Sequence, residues 1–310
     1  MARVIRRLCV SAFLVACFSP PWIWARPDAR DLDQALHDRY VGKIFLIRGF
    51  LSKDNLKYDS SGALKGKPAV GDWTSDGFVS IEGIHSGARM VILAKRLIVT
   101  RLTPEFRLSP AEKRSPDGKN LGPETLKIEV DFSNEKLSVD QVEAVLARVF
   151  FTTKDSLADQ VPQYWNPCVR NGLEGKNKEC LFSSDLLATP GVALLEGSSG
   201  EIAQNPSSEA VPAEAVFFVG AGVSPPKAIS SPEPKFTNAA RNLKYTGTDT
   251  VAMIVNAQGI PTDIHILKPL GAGLDANAAI TVQSWRFKPA EKDGHPVAVK
   301  IAVEVSFDLY

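Results

Sequence analysis

Residues 297–309 read VAVKIAVEVSFDL, and this stretch decides the fold of the C-terminal part of the chain. Val, Ile, Phe or Leu occupies every odd position, whereas Ala, Lys, Glu, Ser and Asp occupy the even positions. Because successive side chains of a β-strand point to opposite faces of the sheet, the alternation predicts one long strand. One face of that strand is predicted to be buried.

The elements before this strand define a small domain. A strand over residues 251–255 and a return strand over 264–266 flank a turn at Gly259. A helix with one apolar face follows them, and a shorter helix that ends near Asn242 precedes them. The order helix, strand, strand, helix, strand predicts an α+β fold over residues 216–310, with a small antiparallel sheet and two helices.

Length and composition limit the class of protein. The chain has 310 residues, which favours two domains. With 44% hydrophobic and 23% charged residues, it is not a wholly disordered chain, a collagen or a polytopic membrane protein. The 36 Lys and Arg residues nearly balance the 35 Asp and Glu residues. Because no net charge would attract a polyanion, we expect no nucleic-acid partner.

Residues 26–195 have the sequence signals of a β-rich domain with at least two helices. Residues 196–215, rich in Ser, Gly, Pro and Glu, are predicted to be a linker. Helices are predicted over 28–40 and after Ser138, which is a good capping residue. Residues 109–123 are polar and rich in Pro and Gly, which predicts an exposed loop. The predicted strands lie at 43–51, 77–84, 90–93, 96–102 and 126–132.

Residues 1–25 are predicted to be a cleaved export signal. Three arginines form a basic segment, an apolar run over residues 8–16 follows, and Ala25 is a small residue at the predicted cleavage site. The apolar run is far shorter than the roughly 20 residues that a membrane-spanning helix needs. We therefore expect the mature protein to work outside the cytoplasm.

Cys17 provides an alternative to simple cleavage. It ends the sequence Leu14-Val15-Ala16-Cys17, which looks like a bacterial lipobox. Lipidation of Cys17 would make the mature protein a membrane-tethered lipoprotein. A third alternative is an N-terminus that is retained as an anchor.

Cys168 and Cys180 lie in a polar loop that contains glycine. In an oxidising compartment such a pair is predicted to form a disulfide, which would stabilise the protein by about 3 kcal/mol in the loop-entropy account. A metal site is not predicted there, because no other Cys or His lies nearby in the sequence.

The sequence contains no motif of catalysis or of cofactor binding. His37, His85, His265 and His295 are scattered and lack the spacing of paired metal ligands. Neither a G-x-S-x-G motif nor a Walker motif occurs. We therefore expect no catalytic residue, no metal and no cofactor, and the protein is not predicted to be an enzyme.

Two further features each have two interpretations. Tyr164 and Trp165 either pack into the core or contact a partner. Gly271 and Gly273 precede a helix, so they either form a simple turn or bind an anion at the helix N-terminus.

The C-terminal domain contains a specific set of motifs. Leu274 and Asp275 begin the second helix, the sequence WRFKPA starts at Trp285, and GHPV starts at Gly294. The motif residues are Pro234, Phe236, Arg241, Gly259, Leu274, Asp275, Trp285, Phe287, Pro289 and Gly294. On these residues, the region from about 217 to 310 resembles the C-terminal domain of TonB-type energy transducers.

The resemblance implies a binding module of the periplasm. In this family the domain binds a peptide segment of TonB-dependent outer-membrane receptors, and pairing of that segment with an exposed strand assists energised transmembrane uptake. The resemblance places the receiving edge on the last strand, with a capped and charge-protected edge as the alternative. The residues assigned to it are Val297, Val299, Lys300, Ile301, Val303, Glu304, Val305 and Phe307.

The sequence departs from the family pattern near both ends. Family transducers have an uncleaved transmembrane helix and a proline-rich spacer, and their Gln-Pro-x-Tyr-Pro segment is replaced here by EPKFT at 233–237. Contact with inner-membrane motor proteins is therefore expected only if the N-terminus stays anchored. An alternative function is an envelope adaptor whose N-terminal domain binds the partner while the TonB-like domain docks or oligomerises. A homodimer formed through the long last strand is left open.

Overall fold

The structure is a computed structural model that describes residues 29–102, 105–133, 137–165, 169, 192–195 and 215–309. The predicted signal peptide, the lipidation candidate Cys17, the pair Cys168 and Cys180, and nearly all of the linker lie outside these residues. These features and the domain boundaries remain predictions.

The N-terminal part of the described chain is built around one large sheet. Its strands are β1 (Ile44–Leu46), β2 (Asn55–Asp59), β3 (Phe78–His85), β4 (Arg89–Leu102), β5 (Glu105–Pro110), β6 (Glu112–Arg114), β7 (Asn120–Pro123) and β8 (Thr125–Asp131). The sheet has the order β1-β3-β4-β8-β2, with β5 also paired to β4. Only β2 and β8 run parallel in it. Strands β6 and β7 form a separate hairpin.

Strand β4 corrects one prediction. Residues 90–93 and 96–102 belong to a single strand, because Ala94 and Arg96 continue the alternation with buried side chains. The charge of Arg96 is tolerated since its guanidinium donates to backbone carbonyl oxygens, including that of Leu51 at 2.8 Å. A buried charge with such partners does not interrupt a strand.

Two other segments also differ from their predicted structure. Residues 109–123 are not an irregular loop, because most of them lie in the end of β5 and the β6–β7 hairpin. The segment 43–51 is a strand only as far as Leu46, since Arg48–Phe50 forms a 3-10 turn in which Gly49 has a φ of 69°. Polarity alone did not distinguish a loop from an exposed hairpin.

The helices of the N-terminal part are α1 (Ala29–Tyr40), α2 (Trp73–Asp76), α3 (Val139–Val149) and α4 (Leu157–Gln160). Helices α1 and α3 confirm the two predicted helices. The hydroxyl of Ser138 accepts from the backbone N–H of Gln141, and the Gln141 side chain accepts from the Ser138 N–H, which completes a capping box. Among the described helices, none combines the length and the apolarity needed to cross a membrane.

The C-terminal part has the predicted α+β fold. Its elements are β9 (Val216–Phe218), β10 (Lys227–Ser230), α5 (Asn238–Leu243), β11 (Gly247–Val255), β12 (Pro261–Lys268), α6 (Leu274–Ser284), β13 (Arg286–Lys288), β14 (Ala290–Lys292) and β15 (His295–Phe307). The main sheet has the order β12-β11-β15-β14, with β9 also paired to β15. Strand β10 pairs with β13.

Strand β15 confirms the alternation that predicted it. Val299, Val305 and Phe307 are buried, whereas Lys300 and Glu304 are exposed. The strand begins two residues before the predicted stretch and ends two residues before its end. One apolar face of β15 is therefore packed against the core of the C-terminal part, and its other face is largely exposed.

The two parts of the chain pack against each other. The loop between β12 and α6 forms a bridge with β4, in which the Ala272 N–H donates to the Val99 carbonyl at 2.7 Å. The Arg101 N–H donates to the Leu270 carbonyl at 3.0 Å. A continuous apolar cluster joins the two parts, with Trp73 on one side and Leu274 on the other.

Candidate functional site

Strand β15 has one fully paired side and one partly open side. Its inner side pairs with β11 from Val299 to Phe307. On its outer side, β14 pairs with residues 295–297 and β9 pairs with residues 298–300. In the part of the chain that the structure describes, no strand pairs with the outer side of residues 301–307. We call this segment the free edge.

The residues predicted to receive a peptide divide into two groups. Val297 is paired with Ala290 of β14, and Val299 and Lys300 are paired with β9. The open part of the strand is thus shorter than the sequence predicts. The remaining residues lie on the free edge: Ile301, Val303, Glu304, Val305 and Phe307.

The free edge has a packed face and a polar face. Ile301 and Val303 are half-buried against the apolar core, whereas Ala302, Glu304 and Ser306 are exposed on the other face. Glu304 is the only charged residue of the segment. Protected edge strands usually carry several charges, a proline or a bulge, so the free edge has little protection against pairing with another strand.

The opposite side of the sheet is in a different environment. Strand β12 pairs with β11, and the 3-10 turn Gln163–Trp165 of the N-terminal part packs against β12. Trp165 in that turn is fully buried, which supports the core interpretation of the Tyr164 and Trp165 pair. The described residues of the N-terminal part therefore pack beside β12.

Strand β9 is a short neighbour of the free edge that the sequence analysis did not predict. It runs parallel to β15, with Val216 opposite Ala298 and Phe218 opposite Lys300. The Lys292 ammonium lies 4.5 Å from the centre of the Phe217 ring. The signal for this strand was the apolar run VFFV at 216–219, which directly follows the polar linker.

The motif residues after α6 contact the turn between β11 and β12 and the segment before α5. Gly259 has a φ of 77°, and a Cβ atom there would collide with the Phe287 carbonyl oxygen. The Phe287 N–H donates to the Gly259 carbonyl at 2.9 Å. Trp285 donates from Nε1 to the Pro232 carbonyl at 3.1 Å. This bond ties residues 231–237 before α5, which we call the lead-in segment, to the end of α6. Pro289 separates β13 from β14.

The lead-in segment also contacts the end of β15. The ring of Phe236 packs edge-on against that of Phe307, with centroids 5.6 Å apart. Pro234 is half-buried, and Arg241 is exposed in the last turn of α5. Gly294 forms the turn before β15 with a φ of 76° and no atom within 4 Å of an added Cβ.

Asp275 organises the loop before α6. Its carboxylate accepts from the Leu270 N–H at 2.7 Å and from the Gly271 N–H at 2.8 Å. A Cβ atom on Gly271 would collide with the Val99 carbonyl oxygen, and the Gly273 N–H donates to the Thr74 hydroxyl at 2.8 Å. These glycines therefore form a turn that contacts the N-terminal part.

Three aspartates come close together where the two parts meet. Asp249 and Asp275 are fully buried. Burial raises the pKa of Asp72 to about 6 and that of Asp275 to about 7. Burial, and then the neighbouring Asp275, raise the pKa of Asp249 well above its usual value, while the positive charge of Arg101 opposes this. Burial also raises the pKa of Tyr245 to about 12.

This acidic cluster was not predicted from the sequence. The available signal was an aspartate at a buried position of strand β11, GTDTVAMIV. No group of three or more His, Cys, Asp or Glu side chains in the described part of the chain is arranged to hold a metal ion.

A cleft of about 510 Å³ lies next to this cluster, between the two parts. Its walls include Asp72, Asp76 and Tyr164 from the N-terminal part, and Thr237 and Asn277 from the C-terminal part. The carboxylates of Asp72 and Asp76 both have hydrogen-bond partners in the protein. Asp72 accepts from the Thr74 N–H, and Asp76 accepts from the Asp72 N–H.

Comparison with known proteins identifies the C-terminal part. Residues 232–309 match the family model of the Gram-negative bacterial TonB protein C-terminal domain. These residues are therefore similar to a TonB C-terminal domain. A solution NMR structure of the Pseudomonas aeruginosa TonB C-terminal domain is similar to this chain with 18% identity and a TM-score of 0.23. The alignment covers 29% of this chain and 92% of that one. No curated protein matches the chain.

The TonB C-terminal family is a transport-associated family of the cell envelope and is not enzymatic. Its domains interact with outer-membrane receptors. The match covers the elements from the lead-in segment to β15 and includes the free edge. It does not include β9 or the N-terminal part.

Proposed function

We propose that the TonB C-terminal domain binds a peptide segment of TonB-dependent outer-membrane receptors by strand addition to β15. The free edge at residues 301–307 carries this proposal, because it presents a regular strand with an open side and a packed face. The proposed location is the periplasm, and the proposed role is assistance of energised uptake.

The geometry is suited to a reversible interaction. An added strand would form backbone hydrogen bonds along the free edge, each with a net contribution of about 0.5–1.5 kcal/mol. Because much of that gain is offset by ordering the peptide, side-chain contacts must supply the selectivity. The exposed face around Ala302 and Ser306 offers space for such contacts.

Disulfide trapping in the full chain tests the proposal. The probes are synthetic peptides with the periplasm-facing segments of TonB-dependent receptors from the same genome, each with one cysteine. Ala302→Cys places a thiol on the exposed face of β15, and Thr262→Cys is the matched control on the exposed part of β12. We expect trapping by Ala302→Cys above the level of the parent protein, and none by Thr262→Cys. Equal trapping at both positions would contradict the proposed edge.

The second candidate is an envelope adaptor in which the N-terminal part binds the partner. The observation that favours it is the close packing of the two parts, which would let the TonB domain act as a docking unit. Capture of the same partner by the parent chain and by a chain with Ala302→Pro on the free edge would favour the adaptor. Loss of capture only in the Ala302→Pro chain, with its fold retained by circular dichroism, would favour receptor binding.

A further inference from the structure

Strand β9 occupies part of the same edge that the proposed receptor strand would use. It pairs with residues 298–300, directly beside the free edge. The other pairings of this sheet are antiparallel, between β11 and β12, β11 and β15, and β14 and β15. Strand β9 is therefore a parallel addition to an antiparallel sheet.

Strand β9 is short and partly exposed. It has only three residues, and its outer side chains are exposed: Val216 by 42% and Phe218 by 74%. Ordering a residue costs about 1–2 kcal/mol of backbone entropy, whereas a hydrogen bond contributes about 0.5–1.5 kcal/mol. Because these amounts are similar, the pairing of β9 adds little net stability. Phe217 is half-buried against the apolar core, and its ring also lies beside the Lys292 ammonium.

The chain after β9 contains a tight turn and then an anchor. Gly220 and Gly222 have φ angles of 110° and 87°, which are readily adopted by glycine. Beyond them, Val223 is buried, and Ser224 exchanges two hydrogen bonds of 2.9 Å with Glu291. Gly220 and Val223 exchange two backbone hydrogen bonds of 3.0 Å, so the turn belongs to the anchor. Rotation of the chain between Phe218 and Gly220 would release β9 while the turn and the anchor stay in place.

We infer that β9 is a displaceable internal strand that competes with the receptor peptide for β15. This inference rests on the proposed function. When β9 leaves, the open side of β15 extends from residue 301 back to residue 298. A peptide then pairs with residues 298–307 as one continuous strand. The apparent affinity for that peptide is reduced by the fraction of molecules in which β9 is bound.

A reversible lock tests this competition in the full chain. Phe218 and Lys300 are exposed and opposite each other, so Phe218→Cys combined with Lys300→Cys places two thiols on neighbouring strands. We expect the oxidised form to bind the receptor peptide about tenfold more weakly than the reduced form of the same protein. Equal affinities, with the disulfide confirmed by mass, would overturn the inference.

A second variant loosens β9 instead of locking it. Phe217→Ala removes the ring beside Lys292, and Phe217→Tyr is the matched control that keeps a ring. We expect tighter peptide binding by about threefold for Phe217→Ala and parent-like binding for Phe217→Tyr. Unchanged or weaker binding by Phe217→Ala would contradict the competition.

Hydrogen exchange in the peptide-free chain gives a readout that does not depend on the receptor. We expect the amides of residues 216–218 to exchange much faster than those of β11. Protection equal to that of β11 would overturn the inference even if the peptide binds. Trapping at Ala302→Cys with no effect of the lock would leave the proposed function in place and remove this inference. Absence of peptide binding to every reduced form would overturn both.

Discussion

At the scale of single residues, two turn glycines of the TonB-like domain have different roles but nearly the same backbone conformation. Gly259 and Gly294 have φ angles of 77° and 76°. A Cβ on Gly259 would meet the Phe287 carbonyl, whereas a Cβ on Gly294 would meet no atom within 4 Å. The sequence predicted the turn at Gly259, but the close approach of Phe287 depends on the tertiary fold.

Alanine substitution separates these two effects. Gly294→Ala should lower the free energy of unfolding by about 1 kcal/mol, because only the backbone preference is lost. Gly259→Ala should lower it by about 2–4 kcal/mol, because the collision with the Phe287 carbonyl adds to that preference. Denaturant unfolding of the two variants measures the difference. Equal losses would mean that the turn at Gly259 relaxes freely around the added methyl group.

The buried carboxyl groups predict how stability depends on pH. Asp275 binds its proton more tightly in the folded protein, with a pKa raised from 3.8 to about 7. Asp249 is raised in the same direction. A group with a raised folded pKa binds more protons in the folded state, so stability falls as the pH rises from about 4 to about 7. The unfolding midpoint should decrease over this interval.

Asp249→Asn tests the origin of that dependence. The amide cannot ionise, so the variant should be more stable than the parent at pH 8 by about 1–2 kcal/mol and nearly equal at pH 5. The control is Asp263→Asn, since Asp263 is an exposed residue that pairs with His265 at 2.7 Å. Thermal unfolding at both pH values provides the measurement. A parent-like pH profile for Asp249→Asn would exclude Asp249 as the titrating group.

At the scale of secondary structure elements, local signals predicted some features well and others poorly. Helix α3 was predicted because its cap and its apolar stripe both lie within a short stretch of sequence. The alternation of β15 was equally local. In contrast, the parallel pairing of β2 with β8 joins residues far apart in the chain. Pairing partners, and therefore free edges, could not be deduced from propensity or periodicity.

The contribution of the α3 cap to stability can be measured by comparison with a second serine. Ser138 accepts a hydrogen bond at the start of α3, whereas Ser156 occupies the same position before α4 and makes no side-chain cap bond. Ser138→Ala should cost about 1 kcal/mol of stability, and Ser156→Ala should cost much less. Chemical denaturation of both variants compares them. A larger loss for Ser156→Ala would show that the cap bond does not determine the stability of α3.

At the scale of the whole molecule, the sequence predicted only part of the candidate site. The residues of the free edge were predicted, because the family motifs end in the β15 sequence. Its actual length was not, since β9 and β14 cover one end of the strand. The junction between the two parts was also not predicted. It depends on the approach of the Gly271 loop to β4, and neither segment contains a signal for the other.

Tyr245 makes the most testable contact of this junction. Its hydroxyl accepts from the Arg101 N–H at 3.0 Å and lies 2.8 Å from the Arg101 carbonyl and 3.0 Å from the Leu270 carbonyl. Tyr245→Phe removes these hydrogen bonds, whereas the Arg101 N–H keeps the Leu270 carbonyl as an acceptor at 3.0 Å. We therefore expect a loss of about 0.5–1.5 kcal/mol and weaker coupling between the two parts.

Tyr40 is the matched control for this substitution. Its hydroxyl is buried in the N-terminal core without a hydrogen-bond partner among the described residues. Because Tyr40→Phe removes an unsatisfied polar group, it should be neutral or stabilising. Calorimetry should show a single transition for Tyr40→Phe and a broadened or split transition for Tyr245→Phe. A single sharp transition for both would mean that the apolar cluster alone couples the two parts, since the Tyr245 hydroxyl would then be dispensable.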